Sequence, residues 1–425
     1  MQNIYPNIVE FNMLQYILAT TFFFCLVLFM YIKIKYPFWN SQPVFHTYDY
    51  WRYYYRTPFI IYRFRPIKNK FCDFVNVSTK NLVDCTDEDI RELTNLLQCY
   101  YVPSDRIIHT LGDQNVRTIL TGIGEPSYVS MYYEKILHKP TASDEISCIH
   151  KPVGCVTSRA FKMHYRPTLG EPMYSELPIY YVDYLCVQRE QDTRKVTRNL
   201  YQTHEYNQRL MNPNIAVSLL KKEIDLIEGV VPFIRYTSDT FYLRKNKLPV
   251  LPKNFQVLPI NAENIDILTD FLDIQTHLRF DNQPCLFDIC ITQHSGYYLS
   301  LINDNQLYIY CLRSEGHIYG LYFFKDTKTQ YDDIEGNTLQ LIGSVMNSDA
   351  DDLFYSGYLH SLDAINKKSK YKMLILEGIS SNRTISNHWR TAYTPVFTNE
   401  TAYYLYNFVY PCSPIPCEKC LILTM

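Results

Sequence analysis

The sequence predicts an α/β protein of two tandem halves, each a mixed sheet with flanking helices, behind one N-terminal transmembrane helix. Three observations predict this. Residues 11–32, FNMLQYILATTFFFCLVLFMYI, carry no charge over 22 positions. Two amphipathic helical patterns recur 175 residues apart with the same apolar spacing. Each is followed downstream by an apolar strand, a helical stretch and a second apolar strand, and units of that length imply parallel pairing through right-handed crossovers.

A chain of 425 residues suits two or three domains, and an apolar content of 47% is ample for their cores. The net charge of −2 gives no general attraction to nucleic acid or to anionic lipid. Thirteen cysteines at irregular spacing fit free thiols in a reducing compartment better than a disulfide framework.

At ~1.5 Å per residue the charge-free run reaches about 33 Å, enough to cross a bilayer core. A buried core helix is the alternative. A cleaved signal peptide does not fit, because no base occurs in the first 12 residues and no small-x-small site follows. Lys33, Lys35, Arg52 and Arg56 follow the run and only Glu10 precedes it, so the body is expected on the cytosolic side. The sequons at Asn76, Asn382 and Asn399 would then be idle. Residues 47–71 alternate aromatics with six bases, a pattern that could stack and neutralise single-stranded nucleic acid but that, behind a span, better suits a lipid surface or an ordinary solvated loop.

Further along, Thr86 caps a helix with Ile90, Leu93 and Leu97 on one face. Asn261 is expected to cap its counterpart, with Ile265, Leu268 and Leu272 at the same spacing. Glu88 and Glu263 also correspond, as do Thr94 and Thr269. In the first half a strand at 180–187 leads into a helix at 193–210 and a strand at 215–220. In the second, a strand at 339–346 leads into a helix at 349–365 and a strand at 373–376. Prolines 249, 252 and 259 mark a linker over 245–259. The expected parts are a tail (1–10), the span (11–32) and two halves (33–248 and 249–425).

Three islands then carry a resemblance. The first is KYPFWNSQPV at residues 35–44, directly behind the span. The second is VDYLCV at 182–187. The third runs from YYLYN at 403–407 through a proline-rich loop and Glu418-Lys419 to Met425. Together they resemble the N-myristoyltransferases over about residues 35–425, and the resemblance implies two fused acetyltransferase-like (GNAT-type) halves.

It also implies roles. Lys35, Tyr36, Phe38 and Trp39 would cover bound acyl-CoA. The backbone amides of Tyr184 and Leu185 would form an oxyanion hole on a bulged strand, because negative charge develops on the thioester oxygen as an amine attacks. Backbone amides of Thr193, Arg194, Lys195 and Val196, with Arg189 nearby, would bind the CoA pyrophosphate at a helix N-terminus. The terminal carboxylate of Met425 would accept the proton of the attacking ammonium. Tyr101, Asp105, Asp183, Ser218 and Tyr404 would contact the acceptor. Myristoyl-CoA is the expected co-substrate, proteins with N-terminal glycine the expected partners, and no metal or nucleic acid is expected.

Several positions depart from the family pattern. Glu190 and Asp192 stand where bases are usual, and Asp183 stands where Asn is usual. Pro103 and Ser104 follow Tyr101-Val102 in place of two acidic residues. Cys412, Cys417 and Cys420 have a zinc-like spacing but no fourth ligand nearby. Two other functions stay open: an inactive, membrane-anchored acyl-CoA- or lipid-binding protein of the same fold, and an acyltransferase acting on lysine or a small amine.

Overall fold

The computed structural model describes residues 5–425 apart from 56, 103, 105, 123, 139–146, 168–173, 245–246, 277–285 and 333. The chain begins with α1 (Tyr5–Lys35), β1 (Phe59–Ile60) and β2 (Val77–Asn81). Next come α2 (Asp87–Tyr100), β3 (Ile107–His109), α3 (Asp113–Leu120), β4 (Tyr128–His138) and β5 (Ser147–Tyr165). Then follow β6 (Ser175–Val187), α4 (Thr193–Met211), β7 (Val217–Glu223) and β8 (Ile234–Tyr242). The second part holds β9 (Phe255–Pro259), α5 (Ile265–Thr276), β10 (Ile289–Thr292), α6 (Ser295–Asn303), β11 (Leu307–Ser314) and β12 (His317–Tyr331). It closes with β13 (Ile334–Met346), α7 (Asp351–Lys368), β14 (Tyr371–Glu377), α8 (Asn382–Ala392), β15 (Phe397–Tyr406), β16 (Phe408–Val409) and β17 (Cys420–Ile422).

Within α1, Gln15–Lys35 has a mean hydropathy of 2.2 and none of it is buried against the body, so it is long and apolar enough to cross a membrane. Both expected crossovers form: β6 pairs in parallel with β7, and β13 with β14. Their helices pack on the sheet, α4 against β4, β5 and β6 and α7 against β9, β11 and β12.

The two sheets that the duplication predicts are fused into one of 15 strands. Its spine runs β17-β10-β5-β6-β7-β15-β8-β14-β13-β12-β11-β9. The centre of that order is an exchange. β8, which follows the first crossover, pairs with β14 of the second, and β15 returns to pair with β7. β8 and β15 also pair with each other, which closes the seam.

Local chemistry explains where the elements begin and end. Thr86 and Asp89 form a capping box at α2: Thr86 Oγ1 accepts from Asp89 N (3.2 Å), and Asp89 Oδ2 accepts from Thr86 N (2.8 Å). Asn261 does not cap α5 directly. Its side chain accepts from Glu263 N, a turn fills 261–264, and the helix starts at Ile265. The apolar stripes still meet, since Leu93, Leu97, Leu268 and Leu272 join one core cluster.

Among the boundaries that differ from the sequence reading, two share one reason, sheet pairing. β7 runs on to Glu223 because β15 continues beside it as far as Thr401. The proline-marked linker ends in β9, which pairs with β11 while Phe255 and Val257 pack against the α7 cluster.

Candidate active site

The centre of the site is a bulge in β6. Cys155 of β5 opposes Cys186 and Thr157 opposes Asp183, so Tyr184 and Leu185 together face the single residue Val156. Tyr184 sits at φ 53°, a left-handed conformation that a bulky aromatic adopts only when its surroundings impose it. The surroundings do so. Its amide donates to Asp183 Oδ1 at 2.8 Å, and its buried ring packs edge-on to Tyr101 with centroids 5.1 Å apart.

Asp183 is held from three directions. Besides the Tyr184 amide, Tyr101 Oη donates to Oδ1 (3.1 Å) and Arg159 Nη2 approaches Oδ2 (3.4 Å). Burial and the Asp183 charge push the Tyr101 hydroxyl well above its ordinary pKa, so it stays protonated as a donor. Arg159 is 0% exposed and lies against the Tyr181 ring. Its Nε and Nη1 have no hydrogen-bond partner among the described residues.

Around this pair lies a charged cluster at the seam between the halves. Lys221 Nζ reaches Glu377 Oε1 (2.5 Å) and Glu223 Oε1 (2.9 Å), and Tyr236 Oη donates to Glu377 Oε2 (2.8 Å). Burial works against the Lys221 ammonium, yet Glu223 and Glu377 hold its pKa well above the usual value. Lys325, on β12, has no such carboxylate within ion-pair distance among the described residues. Burial lowers it to about 8, with Arg159 and Lys221 adding repulsion and Asp183 opposing.

The end of the chain enters the same region. β17 pairs in parallel with β10, Leu423 N donates to Ile291 O (2.9 Å), and Met425 is buried at 1% exposure. Met425 shares a core cluster with Tyr181, Tyr184, Tyr236 and Tyr403. The Thr424 and Tyr403 hydroxyls lie 3.1 Å apart, and Tyr403 stacks on Tyr236, so a polar line runs from residue 424 to Glu377.

The opposite face of the sheet carries the aromatic run. Phe38 meets Trp39, Phe71 and Tyr201 of α4, and the cluster they build includes Leu185 from the bulge. Lys35 is the last residue of α1, and Tyr36 continues its hydrogen bonding to Ile32 O at 2.9 Å. The first and third sequence islands bind each other: Tyr406 Oη donates to Gln42 Oε1 (3.0 Å) and Asn407 N to Pro43 O (2.6 Å). Asn407, at φ 65°, also ties the backbones of Tyr62 and Ala216 through its side chain.

The expected pyrophosphate turn is partly occupied by the protein itself. Asp192 caps α4, its carboxylate accepting from Lys195 N (3.2 Å) and its carbonyl from Val196 N (3.0 Å). Arg189, Thr193, Arg194 and Lys195 are exposed, whereas Val196 is buried.

Of the residues expected at the acceptor, Tyr101 and Asp183 come together at the bulge. Asp105 lies outside the described residues. Ser218 is on the α4 side of β7, bonded to Glu205 and Gln208, where burial pushes Glu205 up to about 7. Tyr404 points to the Phe38 cluster and accepts from Ile227 N, while its neighbour Tyr403 reaches the Thr424 hydroxyl on the other side. Sequence reading missed Arg159, Lys221, Lys325 and Glu377. Lys221 and Lys325 open the charged stretches that follow the apolar parts of β7 and β12, Glu377 ends β14, and Arg159 lies between Ser158 and Ala160 of β5, so each reads as a solvated position until its partners are placed beside it.

The fold has counterparts among solved structures. One is Saccharomyces cerevisiae N-myristoyltransferase with bound myristoyl-CoA, with a TM-score of 0.65, 12% identity, and 89% of each chain covered. A second, of the same yeast enzyme with bound myristoyl-CoA, gives a TM-score of 0.60 and 14% identity over 90% of this chain and 94% of that one. A third, with myristoyl-CoA and inhibitors, gives 0.62 and 14% over 90% and 91%. No protein-family profile and no curated protein matches the chain. The chain therefore has a divergent N-myristoyltransferase-like fold, including the mixed α/β sheet of that fold.

Proposed function

We propose that this protein transfers a long-chain acyl group, myristoyl, from acyl-CoA to the N-terminal glycine amine of a protein. The observation that carries the reading is the bulge at Tyr184-Leu185, which joins two faces of the sheet. Leu185 packs with the Phe38 aromatic run on one face, and on the other Tyr184 meets Tyr101 and Arg159 at the core cluster that also includes Met425. The yeast structures of similar fold hold myristoyl-CoA, which supports an acyl-CoA substrate.

In this reading the glycine amine attacks the thioester carbon while the amides of Tyr184 and Leu185 stabilise the oxyanion. The C–S bond then breaks and CoA leaves as its thiolate. Because the amine must first lose a proton from its ammonium form, the Met425 carboxylate is the proposed base, its basicity raised by burial. Asp183, held by Arg159 and Tyr101, is the proposed partner of that ammonium. Lys35, Tyr36, Phe38 and Trp39 cover the acyl-CoA, and the α4 N-terminus with Arg189 takes the pyrophosphate once Asp192 yields Lys195 N. The acyl-CoA half is taken as 33–248 and the acceptor half as 249–425. α1 anchors the body on the cytosolic side of a membrane.

A second reading, an acyl-CoA-binding protein without transferase activity, draws on one observation. The Tyr184 amide, a proposed oxyanion donor, is already bonded to Asp183. Labelled myristoyl-CoA with peptides beginning Gly or Ala separates the readings. Gly-dependent amide product is expected, binding without product would favour the second reading, and label on internal lysines would indicate a different acceptor.

A further inference from the structure

Behind α1 the chain is fastened to the body rather than trailing from it. The Tyr36 ring lies against Gly229, where an added Cβ would come within 2.8 Å of it, and stacks on Tyr48 at 6.1 Å. Thr47 N donates to Gly229 O, and Arg52 Nη1 to Val44 O. Beyond, β1 pairs with β16, and Arg209 Nη2 bonds the carbonyls of Tyr62 and Phe64, each at 3.0 Å.

On this pinned backbone the large side chains point outward. Trp51 is 82% exposed, Tyr54 81%, Tyr50 70% and Phe64 89%, and Arg63 and Arg65 are exposed among them. The Trp51 and Tyr54 rings lie 6.3 Å apart. Exposed aromatics on a fixed backbone mark a surface that meets something. Indole and phenol rings favour the headgroup layer of a bilayer, and adjacent bases favour anionic lipid there. The patch begins two residues after Tyr48, which is stacked on Tyr36, the residue that follows α1, so it is continuous with the apolar helix that leaves the body.

We propose that this segment is a second membrane contact, in which Tyr50, Trp51, Tyr54 and Phe64 enter the headgroup layer of the bilayer that α1 crosses. Arg63 and Arg65 meet anionic phosphates in the same layer. The inference rests on α1 spanning a membrane, and it lays the aromatic run of residues 36–44 against the lipid surface.

The chain has three tryptophans, Trp39, Trp51 and Trp389, and Trp389 is 0% exposed. The test reconstitutes the full chain and its Trp51→Phe variant in vesicles carrying headgroup-level spin-labelled lipid, with and without phosphatidylserine. The full chain should show fluorescence quenching that Trp51→Phe loses. That excess should grow with phosphatidylserine and shrink in the Arg63→Glu/Arg65→Glu variant. Equal quenching of the full chain and Trp51→Phe, in protein that resists carbonate extraction, overturns the second contact while leaving the span intact. Protein that carbonate extracts refutes the span and the inference with it.

Discussion

The two faces that meet at the β6 bulge are built from opposite materials. On the α4 face, the contacts that reach the bulge are apolar: Phe38, Trp39, Phe71, Tyr201, Tyr406 and Leu185 fill one cluster, beside the hydrogen-bonded group of Ser218, Glu205 and Gln208. On the other face, at the seam of the two halves, Arg159, Asp183, Lys221, Glu223, Lys325 and Glu377 gather from five strands around buried tyrosines. An apolar face tolerates exchange of one side chain for another of similar volume. A buried charge does not, because removing one partner strands the other. The acyl side can therefore change one residue at a time while staying apolar, and the acceptor side should change only as a linked set.

The largest effect that would sharpen this contrast lies at the end of the chain. Residues appended after Met425 should lower the acylation rate by roughly 10²–10⁴-fold, the range for losing a general base, with acyl-CoA affinity unchanged. Full activity in the extended protein would remove Met425 from the chemistry.

Next is Arg159→Met, which leaves Asp183 buried without its cation and should cost about 3–5 kcal/mol of stability by denaturant titration. The Arg159→Met/Asp183→Asn double variant should recover much of that loss. Additive losses would mean that the pair is not coupled.

Phe38→Ala, on the acyl face, should also cost about 3–5 kcal/mol as a cavity. It differs in kind: acyl-CoA affinity should fall while the peptide KM holds. A change in peptide KM alone would break the division between the faces.

The smallest effect concerns Lys325, held near 8 against an ordinary value of 10.5. Between those values the unfolded chain binds more protons than the folded one, so stability rises with pH across about 8 to 10.5. Lys325→Met should flatten that slope and add about 1–2 kcal/mol at pH 7, the residue being only half-buried. Thermal unfolding at pH 7 and 10 measures both.

The same contrast decides what could be read from the sequence. The capping box at Thr86, the apolar strands of both crossovers and the aromatic run are local patterns, and local patterns survive in a linear text. The bulge was legible only through the VDYLCV likeness, because a bulge is defined by the partner strand. Exchange of β8 and β15, the extension of β7 through Lys221 and the edge strand β9 all depend on distant pairing, and periodicity carries no trace of a partner. Lys221 reads as the solvated end of a strand until Glu377, 156 residues away, is placed beside it. Ser218 and Tyr404 show the cost of a one-residue step, since neighbours in a strand face opposite sides.

The proposed function stands on the bulge, which joins the face proposed for acyl-CoA to the face proposed for the amine. The most direct measurement incubates the full chain with myristoyl-CoA and one Gly-initiated peptide, free or N-acetylated, and weighs the products after hydroxylamine treatment. The account predicts a hydroxylamine-resistant acyl adduct on the free peptide and none on the acetylated one. Adducts on both peptides, or on neither, would contradict it.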